Sequence, residues 1–183
     1  MKNFKRFSLL LLFSASLIFS GCEKIKSLAD VTFEAEFSTD LPVQIQPSSL
    51  KADINGTFFE TATIDPLSDT EFAKYAEKIK KIEIIEATAE VITINPSPIL
   101  LVTANLTASA TNFTSAVWSF ANESLTQGKQ LTLGNENSQW TNLQKILDSK
   151  EVFNVTLQGQ ADVDEASFTV RVKYKTKITA NPL

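Results

Sequence analysis

The chain has no histidine and a single cysteine, and both shortages narrow what it can do. Without histidine there is no His-ligated zinc, iron or copper, and no Ser-His or Cys-His nucleophile pair. One cysteine cannot make a disulfide within the chain. Basic residues are outnumbered, with 17 Lys and Arg against 21 Asp and Glu in 183 residues. Long apolar runs are scarce too. Phe7–Phe19 is thirteen residues without a charge, short of the ~20 that span a bilayer comfortably. The chemistry left open rests on carboxylates, lysines and hydroxyls, and no pair of them is singled out. The chain is therefore read as non-enzymatic, with no catalytic, cofactor-binding or metal-binding residue and no cofactor.

What is present begins with that apolar run. Lys2, Lys5 and Arg6 precede it, Ser20 and Gly21 follow it, and Cys22 comes next. A basic start, a short apolar core and small residues make a secretory signal peptide. The ending Phe19-Ser20-Gly21-Cys22 resembles a bacterial lipobox, with Phe19 where an aliphatic residue is usual. That resemblance implies cleavage before Cys22 and acylation of its thiol and new amino group by fatty acids of the palmitate class. A thiol converted to a thioether needs no partner, which accounts for the lone cysteine. Several acyl chains hold a protein stably, where one is marginal. The alternative is an ordinary signal peptide with an unrelated cysteine behind it.

This gives three expected segments: a lipoprotein signal peptide at 1–21, the acylated Cys22 and a tether to residue 29, and a single domain over 30–183. The tether reaches at most about 25 Å. Cleavage leaves 162 residues that keep all 21 acids and 14 of the 17 basic residues, a formal charge of −7. Such a charge argues against a nucleic-acid partner and against adhesion to anionic lipid, so the membrane contact must be covalent.

The rest reads as strands. Val31–Phe37 alternates apolar and polar residues with the two-residue period of a half-buried strand. Val43–Gln46 and Leu50–Ile54 repeat this briefly, and Asn55-Gly56 signals a turn before a return strand over Thr57–Ile64. A helix is predicted over 69–79, with Ser68 and Glu71 as a capping box and Leu67 and Phe72 as a staple. A strand follows from Lys81 to Ile94, with a parity slip at Ile84-Ile85 that predicts a bulge. After Pro96 and Pro98, Leu100, Val102, Ala104, Leu106, Ala108 and Ala110 are expected to face inward. Ser115–Ala121 and Gln130–Leu133 are further strands, and Trp140–Leu147 is a second short helix. Phe153–Ala161 and Phe168–Ile178 read as a closing hairpin joined by Asp162–Ala166. The expected fold is mainly β: an antiparallel β-sandwich, Ig-like in character, with two short helical insertions.

Four features invite a functional reading. Trp118, Phe120 and Trp140 are aromatics that stack on sugar rings where exposed, but their apolar phase favours core packing. Asp162, Asp164 and Glu165 are three oxygen donors for Ca²⁺, but the loop lacks the glycine and remote bidentate Glu of a calcium loop, which favours a solvated turn. Arg171, Lys173, Lys175 and Lys177 make a cation stripe that suits an anionic glycan or headgroup. It equally suits lysines guarding an edge strand, or pairing with Glu34 and Glu36 of an adjacent first strand. Ser48-x-x-Lys51 matches a penicillin-binding motif without its helix or its partner motifs. The sequons at Asn55, Asn105, Asn112, Asn122 and Asn154 follow from Asn/Thr-rich outer faces and, behind a bacterial leader, are not read as glycosylated.

The F-S-G-C leader, the order of sandwich strands and capped helix, and Lys80–Glu86 together resemble small envelope lipoproteins of the Bacteroidota type. The resemblance implies a cell-envelope location, expected at the outer membrane, and no functional residue besides Cys22. The expected role is non-catalytic, a scaffold or protein-interaction lipoprotein with an envelope protein partner. The alternative is a binding module for a glycan or apolar small molecule. A carboxylate-dependent hydrolase ranks third.

Overall fold

A computed structural model describes residues 30–47 and 56–182. Cys22 and the tether, the strand expected at 50–54, Ser48, Lys51 and Asn55 lie outside these residues. The strands are β1 (Val31–Ile45), β2 (Gly56–Ile64), β3 (Ile79–Asn95), β4 (Ile99–Ser109), β5 (Ala116–Leu125), β6 (Gln130–Thr132), β7 (Phe153–Ala161) and β8 (Ala166–Ala180). The helices are α1 (Thr70–Tyr75) between β2 and β3, and α2 (Gln139–Asp148) between β6 and β7.

Two four-stranded antiparallel sheets form, in the orders β1-β8-β3-β6 and β2-β7-β4-β5. They pack as a sandwich with two short helical insertions, as expected from the sequence. The path between layers is that of a jelly roll. Only β4 and β5 are sequence neighbours in one sheet; every other consecutive pair crosses between layers. β1 pairs with β8, β2 with β7, β3 with β6 and β4 with β5. The chain is thus one long hairpin with its tip at β4–β5, folded so that β8 also meets β3 and β7 also meets β4.

This topology corrects the closing hairpin. β7 and β8 lie in different sheets, and Asp162–Glu165 carries the chain across the edge of the sandwich. Both strands alternate well, but alternation reports which face is buried and not which strand is the neighbour. Val31–Phe37 and Val43–Gln46 are also not separate strands. All but Gln46, which bridges to Thr57, belong to the single fifteen-residue β1, which accommodates Pro42 because β1 is an edge strand, where a missing N–H costs no ladder bond. β2 has β7 as its sheet neighbour.

The cleanest alternation in the sequence hides a bulge. The register of β4 on β7 shifts between Leu101 and Thr103, so Ile99 and Leu101 enter the core in place of Leu100 and Val102. Beyond the bulge Ala104, Leu106 and Ala108 point inward as predicted. Four apolar residues in a row, Ile99–Val102, gave no phase of their own. The bulge predicted at Ile84-Ile85 is present, between Ile84 and Glu86.

The first helix is shorter than predicted. Pro66–Ser68 form a 3₁₀ turn, α1 spans six residues, Ala76–Lys78 form a second 3₁₀ turn, and Ile79 already opens β3. Asp69, not Ser68, is the cap: its carboxylate accepts the Phe72 N–H at 2.8 Å. The Ser68 hydroxyl instead donates to the Asp65 carbonyl, because the preceding turn holds it there. The second helix forms where expected.

Between the sheets the core is aromatic. Tyr174, fully buried on β8, lies against Trp118 of β5 and Phe153 of β7, with ring centroids 6.2 and 6.4 Å apart. Phe58 meets Phe168 edge-on. α1 inserts Phe72 against Phe37, and α2 buries Leu143, Ile146 and Leu147.

Candidate functional site

The two outer faces of the sandwich differ in charge. On the β1-β8-β3 face, Arg171, Lys173, Lys175 and Lys177 of β8 run down the middle. They are not on an edge, so they do not guard one. Across β1, Lys175 meets Glu34 at 2.8 Å, Lys173 meets Glu36 at 3.4 Å, and Arg171 holds Asp40 through two bonds of 2.7 and 2.9 Å. Across β3, Glu90, Glu86 and Glu83 stand in register with Arg171, Lys175 and Lys177. The Arg171 hydrogen bond pulls the Asp40 carboxyl below its ordinary pKa, and the Glu34 hydrogen bond raises that of Lys175. Four cations interleaved with six carboxylates present no positive surface to an anion. The pairing reading of the stripe is the one observed.

The acidic loop is also structural. The Asp162 carboxylate accepts the Leu100 N–H at 2.9 Å, its own N–H donates to the Leu100 carbonyl, and the Val163 carbonyl receives the Gly56 N–H. Asp164 and Glu165 point to solvent. Among the described residues no group of three acids is placed to hold a metal.

The tryptophans pin a segment over the free edge of β5. Trp118 Nε1 donates to the Gly134 carbonyl at 2.8 Å and Trp140 Nε1 to the Leu133 carbonyl at 2.7 Å. Gln139 caps the edge by accepting the Val117 N–H at 2.6 Å. Between β5 and this segment lies an open cleft of about 360 Å³ with Trp118, Phe120, Ser119 and Asn137 in its walls and Glu136 as its one carboxylate. Asn137 and Ser138 both adopt left-handed backbone, at φ 54° and 64°. Trp118 is buried in the core, as its phase predicted, and Phe120 and Trp140 are half-buried. Between the sheets there is an apolar cavity of about 20 Å³, lined among others by Phe120, Leu125 and Phe168. It is room for about one water.

The second outer face lies on β2-β7-β4-β5. Its residues stand in four rows across the strands. One row is Thr63, Asn154 and Ser109; the next is Thr61, Thr156, Thr107 and Val117. The third is Phe59, Gln158, Asn105 and Ser119; the fourth is Thr57, Gln160, Thr103 and Ala121. None of these fifteen residues is charged, in a chain that is 21% Asp, Glu, Lys and Arg. Phe59 is 65% exposed on the edge strand β2, at one end of its row. The Ser119 hydroxyl donates to the Asn105 amide oxygen at 2.6 Å, and Thr61 pairs with Thr156 at 2.9 Å, so several of the polar groups are fixed in place. Two sequon asparagines, Asn105 and Asn154, lie here; Asn112 and Asn122 occupy left-handed positions elsewhere.

The sequence alone did not reveal this face, although the alternation of β4 puts Thr103, Asn105 and Thr107 on its polar side. The signal was there as Thr, Asn and Gln at alternate positions, but only strand order assembles it. A β7–β8 hairpin places Gln158 and Thr156 beside the cations of β8, and the contrast between faces vanishes. Neither a family model nor a curated protein sequence matches the chain.

Proposed function

We propose that this protein is a non-catalytic binding protein of the bacterial cell envelope, held at the outer membrane by acyl chains on Cys22, that engages its partner through the outer face of β2-β7-β4-β5. The leader and the lone cysteine support the anchor. The observation that carries the binding role is the absence of charge from fifteen outward positions on one face, opposite a face dense in paired ions. Solvated strand faces are ordinarily charged for solubility, and depletion of charge marks surfaces that give up water on binding. A carrier that encloses an apolar molecule between the sheets is not favoured, because the cavity there is about 20 Å³ and drug-sized ligands need several hundred.

The test is native mass spectrometry of the protein extracted from its own envelope. The expected result is an acylated chain with an additional non-covalent mass that Thr107→Lys combined with Thr156→Glu removes without changing the thermal midpoint. A bare acylated mass for both proteins overturns the binding role. A Cys22→Ser chain that still fractionates with membranes overturns the anchor.

A further inference from the structure

We infer that the occupant of the β2-β7-β4-β5 face is a neutral, hydroxyl-rich glycan, seated along the row Phe59–Gln158–Asn105–Ser119. This rests on the binding role proposed above and names the chemistry of its ligand.

Charge excludes the first alternatives. The face offers no ion pair to an anionic or cationic ligand, and the surrounding domain, at −7 after cleavage, repels polyanions. Composition excludes the next. The buried centre of a protein–protein interface is enriched in aromatic residues, Met and Arg. Of the fifteen residues here, only Phe59, Val117 and Ala121 are apolar. The other twelve are hydroxyls and amides. Each of these side chains both donates and accepts, as each sugar hydroxyl does. A surface of such groups can satisfy a polyol in many orientations, while a ligand with mostly apolar area leaves them unpaired at a cost.

Geometry then picks the row. Neighbouring strands lie about 4.8 Å apart, so Phe59 on β2 and Asn105 on β4 are separated by about 10 Å with Gln158 between them. That is a ring platform followed by two amides over the length of a short oligosaccharide. The apolar C–H face of a sugar covers a phenyl ring, and its equatorial hydroxyls then reach the amides at the rim. Phe59 takes no part in the core, to which β2 contributes Phe58 and Ile64. Asn105 is oriented in advance by Ser119, which lowers the ordering cost on binding. The cleft beside β5 continues the row past Ser119.

The experiment uses the full acylated chain in detergent. It is run by affinity electrophoresis through gels cast with laminarin, xylan, mannan or dextran as neutral probes and with alginate or heparin as anionic ones, alongside a glycan array. Retardation by at least one neutral polysaccharide is expected, unchanged by salt. Phe59→Ala should weaken it about tenfold, on the scale of one stacked ring lost. Gln158→Lys should weaken it as well, and Lys173→Glu on the opposite face should not. Retardation by alginate or heparin alone, or a neutral response indifferent to Phe59→Ala, overturns the inference. So does failure of every neutral glycan. If glycans fail but an envelope protein is crosslinked in intact cells, and that crosslink is lost in Phe59→Ala, the binding face stands and the glycan falls. If neither depends on the face, both fall.

Discussion

Tyr174 has a hydroxyl that finds no partner among the described residues, although its ring is fully buried between Trp118 and Phe153. The group has given up water without replacement, a cost of about 1–3 kcal/mol. Tyr174→Phe keeps the ring contacts and removes that cost. The expected change in urea unfolding is between neutral and about 1 kcal/mol more stable; a clear loss of stability would show that the hydroxyl is bonded. pH gives a second readout. Burial pushes the phenol well above its ordinary value of 10.0. From about pH 10 upward the unfolded chain releases this proton and the folded one keeps it. Wild-type stability should therefore fall relative to Tyr174→Phe by up to about 1.4 kcal/mol per pH unit. The burial of Tyr174 was legible from its parity on β8, but the missing partner was not, because it depends on which strands surround it. Asp69 shows the same limit on a smaller scale. A capping residue before α1 was plain in the sequence. Which of Ser68 and Asp69 does the capping was decided by the turn that Pro66 starts.

At the scale of elements, the charge zipper tests the register of β1 on β8. Glu34 faces Lys177 in the ladder, yet its carboxylate reaches diagonally to Lys175 at 2.8 Å. A double-mutant cycle of Glu34→Lys with Lys175→Glu should give a coupling of about 0.2–1 kcal/mol, because both side chains are part-exposed and screened. High salt should shrink the coupling. The double variant should recover only part of the loss, since Glu86 of β3 then opposes a new acid at 175. The same cycle with Lys173 in place of Lys175 should be additive, because Lys173 pairs with Glu36. Equal coupling in both cycles would sink the register. That the stripe pairs with the first strand was among the readings the sequence allowed, since Glu34 and Glu36 alternate in phase with the lysines. The diagonal choice of partner was not, because side-chain reach follows the twist of the sheet. Period-2 patterning likewise located β3, β4, β7 and β8 and predicted one bulge. It failed at Ile99–Val102, where every residue is apolar, and at the link from β7 to β8, where a short polar loop serves a hairpin and a crossover equally well.

For the whole molecule, the nesting of strands sets an order of assembly. The β4–β5 pair closes only the residues between Ser109 and Ala116, whereas the β1–β8 pair joins the two ends of the described domain. Loop-closure entropy grows with the length of free chain that is closed. Pairing β1 with β8 first is thus the most costly step, and it becomes cheap only once the inner pairs have shortened the loop. Assembly should run from the tip outward, 4 with 5, then 3 with 6 and 7 with 4, and last 1 with 8. Leu106 on β4 and Phe37 on β1 probe the two ends of that sequence, since each is buried and its truncation to Ala costs about 2–5 kcal/mol, enough for a reliable kinetic comparison. In stopped-flow refolding, Leu106→Ala should slow folding, giving a φ-value above about 0.5, and Phe37→Ala should mainly speed unfolding, giving a φ-value below about 0.3. The reverse pattern would mean that the termini meet early. Because β1 docks last in this scheme, the proposed anchor at Cys22, on the N-terminal side of β1, would leave the inner six strands free to form before β1 is committed.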